Sequence, residues 1–241
     1  MKTEGLVITP DLCPMEYRMR VGTVSTVLGL GVFLIVAAGS LERQAVAVQS
    51  SGGDARLTKQ LLGKLNAPLN RIKKVNQSYT QIFDGYLDMT SPPMEVGEMF
   101  NQTTVWPGMP DWSKVSAWAK ANTSMSKILD GVQSKLSIGL PYGVDNVSSA
   151  YKSKGLFADI QIGAAGEDVV YLPYLEAIET IAVWSIAEQY RLCEDEKYEE
   201  AFSQGISTAR MLRQLCDRDM AAEKFVAFRL LGECLSVQRD I

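Results

Sequence analysis

One stretch of the chain carries no charged residue over a length that matches a lipid bilayer. It runs from Val21 to Leu41, reads VGTVSTVLGLGVFLIVAAGSL and contains 21 residues. A helix rises about 1.5 Å per residue, so a helix of this length crosses an apolar slab of about 30 Å. A buried core helix is the other interpretation, but core helices usually keep charge on one face. The pattern therefore predicts a single transmembrane helix at residues 21–41.

The charges that flank this segment predict its orientation. Arg18 and Arg20 lie just before it, whereas Glu42 and Arg43 after it cancel. Basic residues favour the cytoplasmic side of a membrane. We therefore expect residues 1–20 to form a cytoplasmic tail and the C-terminal part to be extracytoplasmic, in a periplasm or a lumen.

A cleaved signal peptide is the alternative to an anchor. Ala37 and Gly39 are small residues that fit a cut before Ser40. However, the apolar run and the arm before it are both longer than such peptides usually have. We expect an uncleaved signal-anchor, followed by a flexible joint at residues 42–53 that contains two serines and two glycines in a row.

A long helix is predicted at residues 54–89. Asp54 is suited to cap its start, and Pro68 should kink it because proline lacks a backbone donor. Its apolar positions step by threes and fours along Leu61, Leu65, Leu69, Ile72, Val75, Tyr79, Ile82 and Tyr86. Packing in a core explains this stripe, and a parallel coiled coil with a second copy is the alternative.

Further helices follow in the C-terminal half. Asp111 is suited to cap a helix whose apolar positions are Val115, Trp118, Asn122, Met125, Leu129, Val132 and Leu136. Residues 144–166 form a long connection with one short helix or strand near 156–162. A bundle of three helices with short connections is predicted at 167–238, and short connections favour antiparallel neighbours. Its predicted buried residues are Leu175, Ile178, Phe202, Ile206, Leu212, Phe225 and Leu231.

These elements predict an all-α protein. A single N-terminal transmembrane helix precedes an extracytoplasmic helical domain at 54–241, which is built from antiparallel helical hairpins. The 241 residues suffice for one domain with a sizeable core.

Composition excludes several classes of function. The chain has 24 basic and 28 acidic residues, a net charge of −4, and therefore lacks the positive field that nucleic acid requires. It contains no histidine, which removes the commonest general base and the commonest metal ligand. Neither a glycine-rich phosphate loop nor a dinucleotide-binding motif occurs in the sequence.

The cysteines and carboxylates offer weak candidates for chemistry. Cys193, Cys216 and Cys234 lack zinc spacing and are interpreted as buried thiols, with a disulfide between Cys193 and Cys216 as the alternative. The acidic run at 194–200 lacks the ligand pattern of an EF-hand and favours a solvated turn between helices. Two same-face pairs suit acid–base hydrolysis in principle: Asp84 with Asp88, and Glu176 with Glu179.

Two further patterns invite a functional interpretation. Trp106, Trp112 and Trp118 either line a groove for a sugar or peptide or anchor a loop onto the core. Four of the six asparagines begin an Asn-x-Ser/Thr triplet, which in a eukaryote indicates glycosylation. They are Asn76, Asn101, Asn122 and Asn146.

Two resemblances add to this interpretation. Residues 197–201 and 228–235 resemble parts of a tetratricopeptide repeat, although Trp184, the equivalent position before Phe228, lies 44 residues earlier and the repeat has a period of 34. A broader likeness spans about 105–235 and rests on Trp106, Val115, Trp118, Asn122, Leu140–Gly143, Leu172–Leu175 and Ala209–Arg210. With the lone N-terminal membrane helix, these residues resemble uncharacterised membrane-anchored helical proteins of planctomycete type.

The second resemblance implies a location and a fold but no chemistry, because that group has no established activity. The chain also departs from it at Met211, where a histidine often follows the Ala-Arg pair. The sequence thus predicts a membrane-tethered interaction or structural protein of the cell envelope that is not an enzyme. We expect no catalytic residue, no metal and no cofactor, and a protein partner or self-association besides the bilayer. The alternative is a carboxylate-based hydrolase or a protein that binds a small ligand at the envelope surface.

Overall fold

The computed structural model describes residues 54–94, 105–163 and 169–240. Most of these residues are helical, which confirms the predicted helical character of the chain. Within the described ranges, no helix has both the length and the apolar character that a membrane crossing requires. The predicted transmembrane helix at 21–41 and the joint at 42–53 lie outside these ranges.

Eight α-helices and two short strands follow one another in the described part of the chain. The helices are α1 (Ala55–Arg71), α2 (Tyr79–Leu87), α3 (Trp112–Ala121), α4 (Ser124–Val132), α5 (Ser149–Lys152), α6 (Tyr174–Glu194), α7 (Tyr198–Cys216) and α8 (Ala221–Asp240). The strands β1 (Asp159–Gln161) and β2 (Val169–Tyr171) lie between α5 and α6 and pair antiparallel, with Ile160 opposite Val170. The described residues are consistent with the predicted all-α class, and one small two-stranded sheet accompanies the helices.

The predicted long helix at 54–89 is wrong in its extent. Asp54 does cap its start, since its carboxylate accepts hydrogen bonds of 3.0 Å from the backbone N–H groups of Arg56 and Leu57. The helix continues past Pro68 and ends at Arg71, and a 3₁₀ turn at Lys74–Asn76 separates it from α2.

A pairing with a distant segment breaks the long helix. The backbone N–H of Ser78 donates to the carbonyl of Ser137 over 3.1 Å, and that of Tyr79 to Ile138 over 2.8 Å. The side chain of Gln77 donates to the carbonyls of Leu69 and Ile72 at 3.2 and 3.0 Å, at the end of α1. These bonds satisfy backbone groups that a helix end leaves open.

The predicted helix from residue 111 is also divided. Asp111 precedes α3 in a left-handed conformation, and its side chain pairs with Lys114 instead of capping the backbone. Asn122 lies at the break between α3 and α4, where its buried side chain donates to the carbonyl of Trp118 over 2.8 Å and accepts from the N–H of Thr90 over 2.9 Å. Leu136 falls beyond α4 and is 60% exposed.

The C-terminal bundle begins later than predicted, at Tyr174 instead of residue 167, because residues 169–171 form β2. The antiparallel pairing of its neighbouring helices follows from their contacts. Ser185 of α6 lies 2.6 Å from Thr208 of α7 between hydroxyl oxygens, and Gln204 donates to Ser185 over 3.1 Å. Gln238 near the end of α8 donates to the carbonyl of Phe202 near the start of α7 over 3.2 Å.

The prediction of which residues are buried in this bundle is partly wrong. Ile178 and Leu212 are buried, whereas Leu175, Ile206 and Leu231 are half-buried. Phe202 and Phe225 are 50% and 76% exposed.

Polar and small residues occupy the buried face of α7 instead, among them Ala201, Gln204, Gly205, Ser207 and Thr208. A Cβ added at Gly205 would meet the side-chain amides of Gln238 and Gln189, so these two amides fill the space next to this glycine. Hydrogen bonds across this seam satisfy the buried polar groups, which is why burial here does not follow hydropathy.

We predict that Gly139→Ala destabilises the joint between α1 and α2. Gly139 has a φ of +70°, and an added Cβ would lie 2.5 Å from the side chain of Gln77, which two hydrogen bonds hold in place. The free energy of unfolding should fall by about 2–4 kcal/mol in urea titrations. Gly63→Ala is the matched control, because its Cβ would meet nothing within 4 Å. That change should raise stability by about 0.5–1 kcal/mol, and equal effects of both substitutions would contradict this account of the joint.

A second prediction tests the phase of α7. From the sequence, Phe202→Ala is expected to cost about 3–5 kcal/mol. Because the phenyl ring is 50% exposed, we now expect a loss below about 1 kcal/mol. Met211→Ala, in the same helix and fully buried, should cost about 2–5 kcal/mol. Thermal and urea unfolding of both variants show which side of α7 is buried. A larger stability loss in Phe202→Ala than in Met211→Ala would support the sequence-based prediction that Phe202 is buried.

Candidate functional site

An ion pair lies in the interior of the protein at the start of α8. The Nε of Arg218, in the turn between α7 and α8, lies 3.0 Å from the Oε1 of Glu223 in the first turn of α8. Both side chains are closed to solvent, with exposed fractions of 1% and 0%. Glu223 also accepts a bond of 3.2 Å from the backbone N–H of Met220, the residue before the helix. That contact is one half of a capping box, because Glu223 is the third residue of α8.

Two tyrosines complete the surroundings of this carboxylate. The hydroxyl of Tyr142 donates to its Oε2 over 2.5 Å, and the hydroxyl of Tyr174 donates to its Oε1 over 2.5 Å. Burial raises the pKa of both tyrosines above the ordinary value, and the charge of Glu223 raises it further. Both hydroxyls therefore stay protonated and act as hydrogen-bond donors. We call Tyr142, Tyr174, Arg218 and Glu223 the buried cluster.

Arg218 makes further contacts from its guanidinium group. Its Nη1 donates to the carbonyl of Leu140, and its Cζ lies 4.0 Å from the centroid of the Tyr142 ring, a cation–π arrangement. Its Nη2 has no hydrogen-bond partner. Among the buried side-chain nitrogen and oxygen atoms of the described residues, it is the one that lacks a partner. Three of the four side chains in the buried cluster are thus fully engaged.

The buried cluster connects separate parts of the chain. Tyr142 is bound from the other side by Asn66 of α1, whose amide donates to its carbonyl over 2.9 Å and accepts from its N–H over 2.8 Å. Tyr142 also forms an isolated bridge with Ala158, next to β1. Because its side chains are closed to solvent, the cluster holds elements together and offers no reacting group to a substrate in this conformation.

Sequence reasoning assigned no functional or structural role to any member of the buried cluster, although Tyr142 and Tyr174 lie in the stretches 140–143 and 172–175 that carry a resemblance. The signal that existed was local: a glutamate at the third position of a helix after a turn, which marks a helix start. The partners Tyr142 and Tyr174 lie 81 and 49 residues away from Glu223, and nothing in the pattern of the sequence joins them.

The two carboxylate pairs proposed from sequence are engaged by different partners. Tyr151 donates its hydroxyl to Asp84 over 2.6 Å, and Asp88 is exposed. Glu179 forms an ion pair with Arg229 of α8, and burial raises its pKa above the ordinary value. In both pairs, one acid is committed to a structural contact.

The acidic run at 194–200 forms the turn between α6 and α7. Glu194 accepts a bond of 2.8 Å from the indole N–H of Trp112, and Asp195 forms an ion pair with Arg191 over 2.8 Å. Within the described ranges, His, Cys, Asp and Glu side chains form no group of three or more that is arranged to hold a metal ion. The run connects α3 to the end of α6 through Trp112.

The tryptophans act mainly as anchors. Trp112 and Trp118 are buried, and Trp118 donates its indole N–H to the carbonyl of Thr90 over 2.9 Å. Trp106 is 39% exposed. The structure therefore favours a loop anchored on the core over a groove lined by all three indoles.

The described cysteines are free thiols. Cys193 and Cys216 end α6 and α7, and in an antiparallel hairpin the ends of two successive helices lie at opposite ends of the hairpin. A disulfide between them would need to span nearly the 19 residues of α7, about 28 Å of helix. Cys234 is fully buried, and burial raises the pKa of its thiol to about 12.

The asparagines of the Asn-x-Ser/Thr triplets differ in their exposure to solvent. Asn122 is 2% exposed and holds the break between α3 and α4, so its side chain is closed to modification in the folded protein. Asn146 is exposed, but its amide donates to the carbonyl of Tyr142 over 2.6 Å. Asn76 is half-buried, and Asn101 lies outside the described residues.

We predict that Glu223→Gln removes a large part of the stability. The substitution leaves the Arg218 cation buried without its counter-charge, which should cost about 3–5 kcal/mol in urea unfolding. Glu233→Gln in the same helix is the control and should change stability by less than about 0.5 kcal/mol.

A double variant separates the charge from the packing. Glu223→Gln should cost less when Arg218→Met is already present, because no buried cation is then left without its counter-charge while the introduced glutamine still offers an acceptor to the tyrosine hydroxyls. A loss below about 1 kcal/mol in Glu223→Gln would show that the pair is not closed to solvent.

Comparisons with known proteins assign no family or fold relative to this chain. The resemblances to planctomycete-type membrane-anchored proteins and to tetratricopeptide repeats stay predictions. No protein-family model matches the chain, and neither a curated protein nor a solved structure matches it.

Proposed function

We propose that this protein is a membrane-tethered helical interaction or structural protein of the cell envelope, without catalytic activity. The observation that carries the proposal is the charge-free segment of 21 residues, Val21–Leu41, preceded by Arg18 and Arg20. In this proposal the segment is an uncleaved anchor, the N-terminus is cytoplasmic, and the domain that begins at the capped start of α1 is extracytoplasmic.

The internal contacts of the domain support a structural or interaction role. The buried cluster joins α6, the turn between α7 and α8, and the segment around Leu140 through buried bonds, and it reaches α1 through a partly buried bond from Asn66. A domain held in this way presents its surface in a fixed arrangement. Tethering such a domain to a membrane raises its effective concentration towards anything else at that surface.

The competing hypothesis is a carboxylate hydrolase or a ligand-binding protein. It requires two converging acids that are free to act, together with an accessible tryptophan wall. The contacts of Asp84 with Tyr151, of Glu179 with Arg229 and of Trp112 with Glu194 engage the candidate groups. These contacts support the non-catalytic proposal.

Extraction with alkaline carbonate tests the anchor. The native chain, expressed in cells, should stay in the membrane pellet. Leu30→Arg combined with Val32→Arg should move it to the soluble fraction, because each charge near the centre of a membrane helix costs about 2.5–3.5 kcal/mol on insertion. Leu30→Ala with Val32→Ala is the matched control and should stay in the pellet. Release of the native chain by carbonate would overturn the tether.

Labelling of thiols tests the orientation. Ser149 is exposed at the start of α5, so Ser149→Cys provides a reactive site in the domain, and Cys13 provides one in the N-terminal tail. A membrane-impermeant maleimide applied to intact spheroplasts should label Ser149→Cys at once and Cys13 only after lysis. Labelling of Cys13 alone would reverse the proposed orientation.

A further inference from the structure

The charges of the described chain are unevenly distributed. Residues 55–83 include six lysines and arginines and no acidic residue, although the whole chain has more acidic than basic residues. Four of these cations lie on the solvent side of α1, opposite its half-buried leucines, and the other two follow in the turn after it. All six are exposed. We define the basic face as Arg56, Lys59, Lys64, Arg71, Lys73 and Lys74.

The basic face has no acidic partner among the described residues. None of its six cations takes part in an ion pair there. The acids on the segments next to α1 are engaged by other groups. Asp54 caps α1, Asp145 pairs with Lys152 over 2.9 Å, and Asp159 accepts a bond of 2.8 Å from the side chain of Gln161. The six cations are therefore available to an anionic surface from outside.

The turn between α6 and α7 carries the opposite charge. Its residues 194–200 include five acids and one lysine, and all seven are exposed. Asp195 pairs with Arg191, and Glu194 accepts a bond from the indole of Trp112. The other three acids form no ion pair with a described residue. We define the acidic turn as Glu194, Asp195, Glu196, Glu199 and Glu200.

The two surfaces lie at opposite ends of the helical domain. Tyr142, which binds Asn66 of α1, shares the buried cluster with Tyr174 in the first turn of α6. Ser78, beyond α1, binds Gln214 near the end of α7 over 2.6 Å. The acidic turn lies at the other end of both helices, whose 21 and 19 residues each correspond to about 30 Å. This distance exceeds the screening length of about 8 Å at physiological salt, so the surfaces do not neutralise each other within one copy.

Other charges at the two ends do not reverse this polarity. Glu176 and Asp219 are exposed acids at the end that carries the basic face, where its six cations outnumber them. Asp217 at the same end pairs with an arginine of α7 over 3.6 Å. At the other end, Lys197 and Arg239 are exposed cations near the five carboxylates of the acidic turn. One end of the domain thus stays cationic and the other anionic.

A second copy of the chain satisfies both surfaces at once. A nucleic acid or an anionic lipid would satisfy the basic face alone, and the net charge of −4 repels it. Exposed apolar side chains accompany both surfaces, Leu57 and Val75 beside the cations and Tyr198 within the acidic turn. Complementary charges fix the register of such a contact, and an aromatic ring next to lysines and arginines adds a cation–π attraction.

We propose that the basic face of one copy binds the acidic turn of a second copy, so that the protein associates with itself head to tail. The inference rests on the proposed interaction role, for which it names the partner, and it does not depend on the anchor. Each pair leaves one basic face and one acidic turn unused at its ends. The contact therefore repeats along a row of copies.

Sedimentation velocity of the full chain tests the contact. A non-ionic detergent keeps the apolar segment 21–41 in solution without adding charge. At about 0.01 M salt, where the screening length is about 30 Å, the sedimentation coefficient should rise with protein concentration. At about 1 M salt, where the screening length is about 3 Å, this rise should disappear. A chain that stays monomeric at low salt, or that associates equally at both salt concentrations, overturns the proposal.

Charge reversals at each surface locate the contact. Lys59→Glu with Lys64→Glu, and separately Glu199→Lys with Glu200→Lys, should each weaken self-association at least about tenfold, because like charges then lie across the contact. A mixture of the two variants should form a one-to-one complex with native affinity, since the intact basic face of one meets the intact acidic turn of the other. Failure of the mixture to form this complex overturns the head-to-tail contact. An effect of the lysine substitutions alone also overturns it, because a different acidic surface would then occupy the basic face.

A matched control separates the contact from net charge. Lys120→Glu with Lys127→Glu changes the net charge as much as the reversal at the basic face, and both lysines are exposed without an ion pair to a described residue. Self-association should stay native in this variant, and an equal loss in both lysine variants would overturn the proposal. All substituted positions are exposed, so urea unfolding should show unchanged midpoints.

The outcomes separate this inference from the proposed anchor. A chain that stays in the carbonate pellet but is monomeric at low salt overturns the self-association and leaves the anchor intact. A head-to-tail complex of a chain that carbonate releases supports the contact and overturns the anchor. Association that persists at high salt and in both charge reversals is not carried by these surfaces and overturns the inference.

Discussion

The ion pair between Arg218 and Glu223 is the constraint on which the arrangement of the helices depends. Two charges in the interior carry a large desolvation cost, which attraction offsets only when the remaining donors and acceptors are also satisfied. Here the carboxylate accepts bonds from Tyr142, Tyr174 and the N–H of Met220, and the guanidinium donates to Leu140, while its Nη2 is left without a partner. Each of these groups must be in place for the pair to be tolerated.

The pair therefore couples parts of the chain that are far apart in sequence. Tyr142 connects it to Asn66 of α1, and Tyr174 connects it to the first turn of α6. The turn between α7 and α8 contributes Arg218 itself. Loss of one member exposes the others to the full cost of an unsatisfied buried group, so the C-terminal bundle and the N-terminal helices of the domain are stabilised together.

The polar seam between α6 and α7 has a consequence on the opposite side of the bundle. Ser185, Gln204 and Thr208 satisfy one another inside, and Gly205 leaves room for the amides of Gln189 and Gln238. With small and polar residues on the buried side of α7 from Ala201 to Thr208, Phe202 lies on the exposed side of that helix.

The sequence by itself determined the helical character, the start of α1 at Asp54 and the three-helix bundle at the C-terminal end, although it placed the start of that bundle seven residues too early; these features depend on local periodicity and capping. The break after Arg71 was decided by pairing with residues 137 and 138, and the break at Asn122 by its contact with Thr90. The buried cluster was likewise decided by contacts over 49 to 81 residues. Hydropathy placed Phe202 and Phe225 inside, whereas the structure leaves both exposed: polar and small residues of α7 face the seam in place of Phe202, and Ala227, Leu230 and Cys234 fill the inner side of α8 in place of Phe225. Such outcomes depend on which polar groups meet in space, and only the tertiary structure determines that.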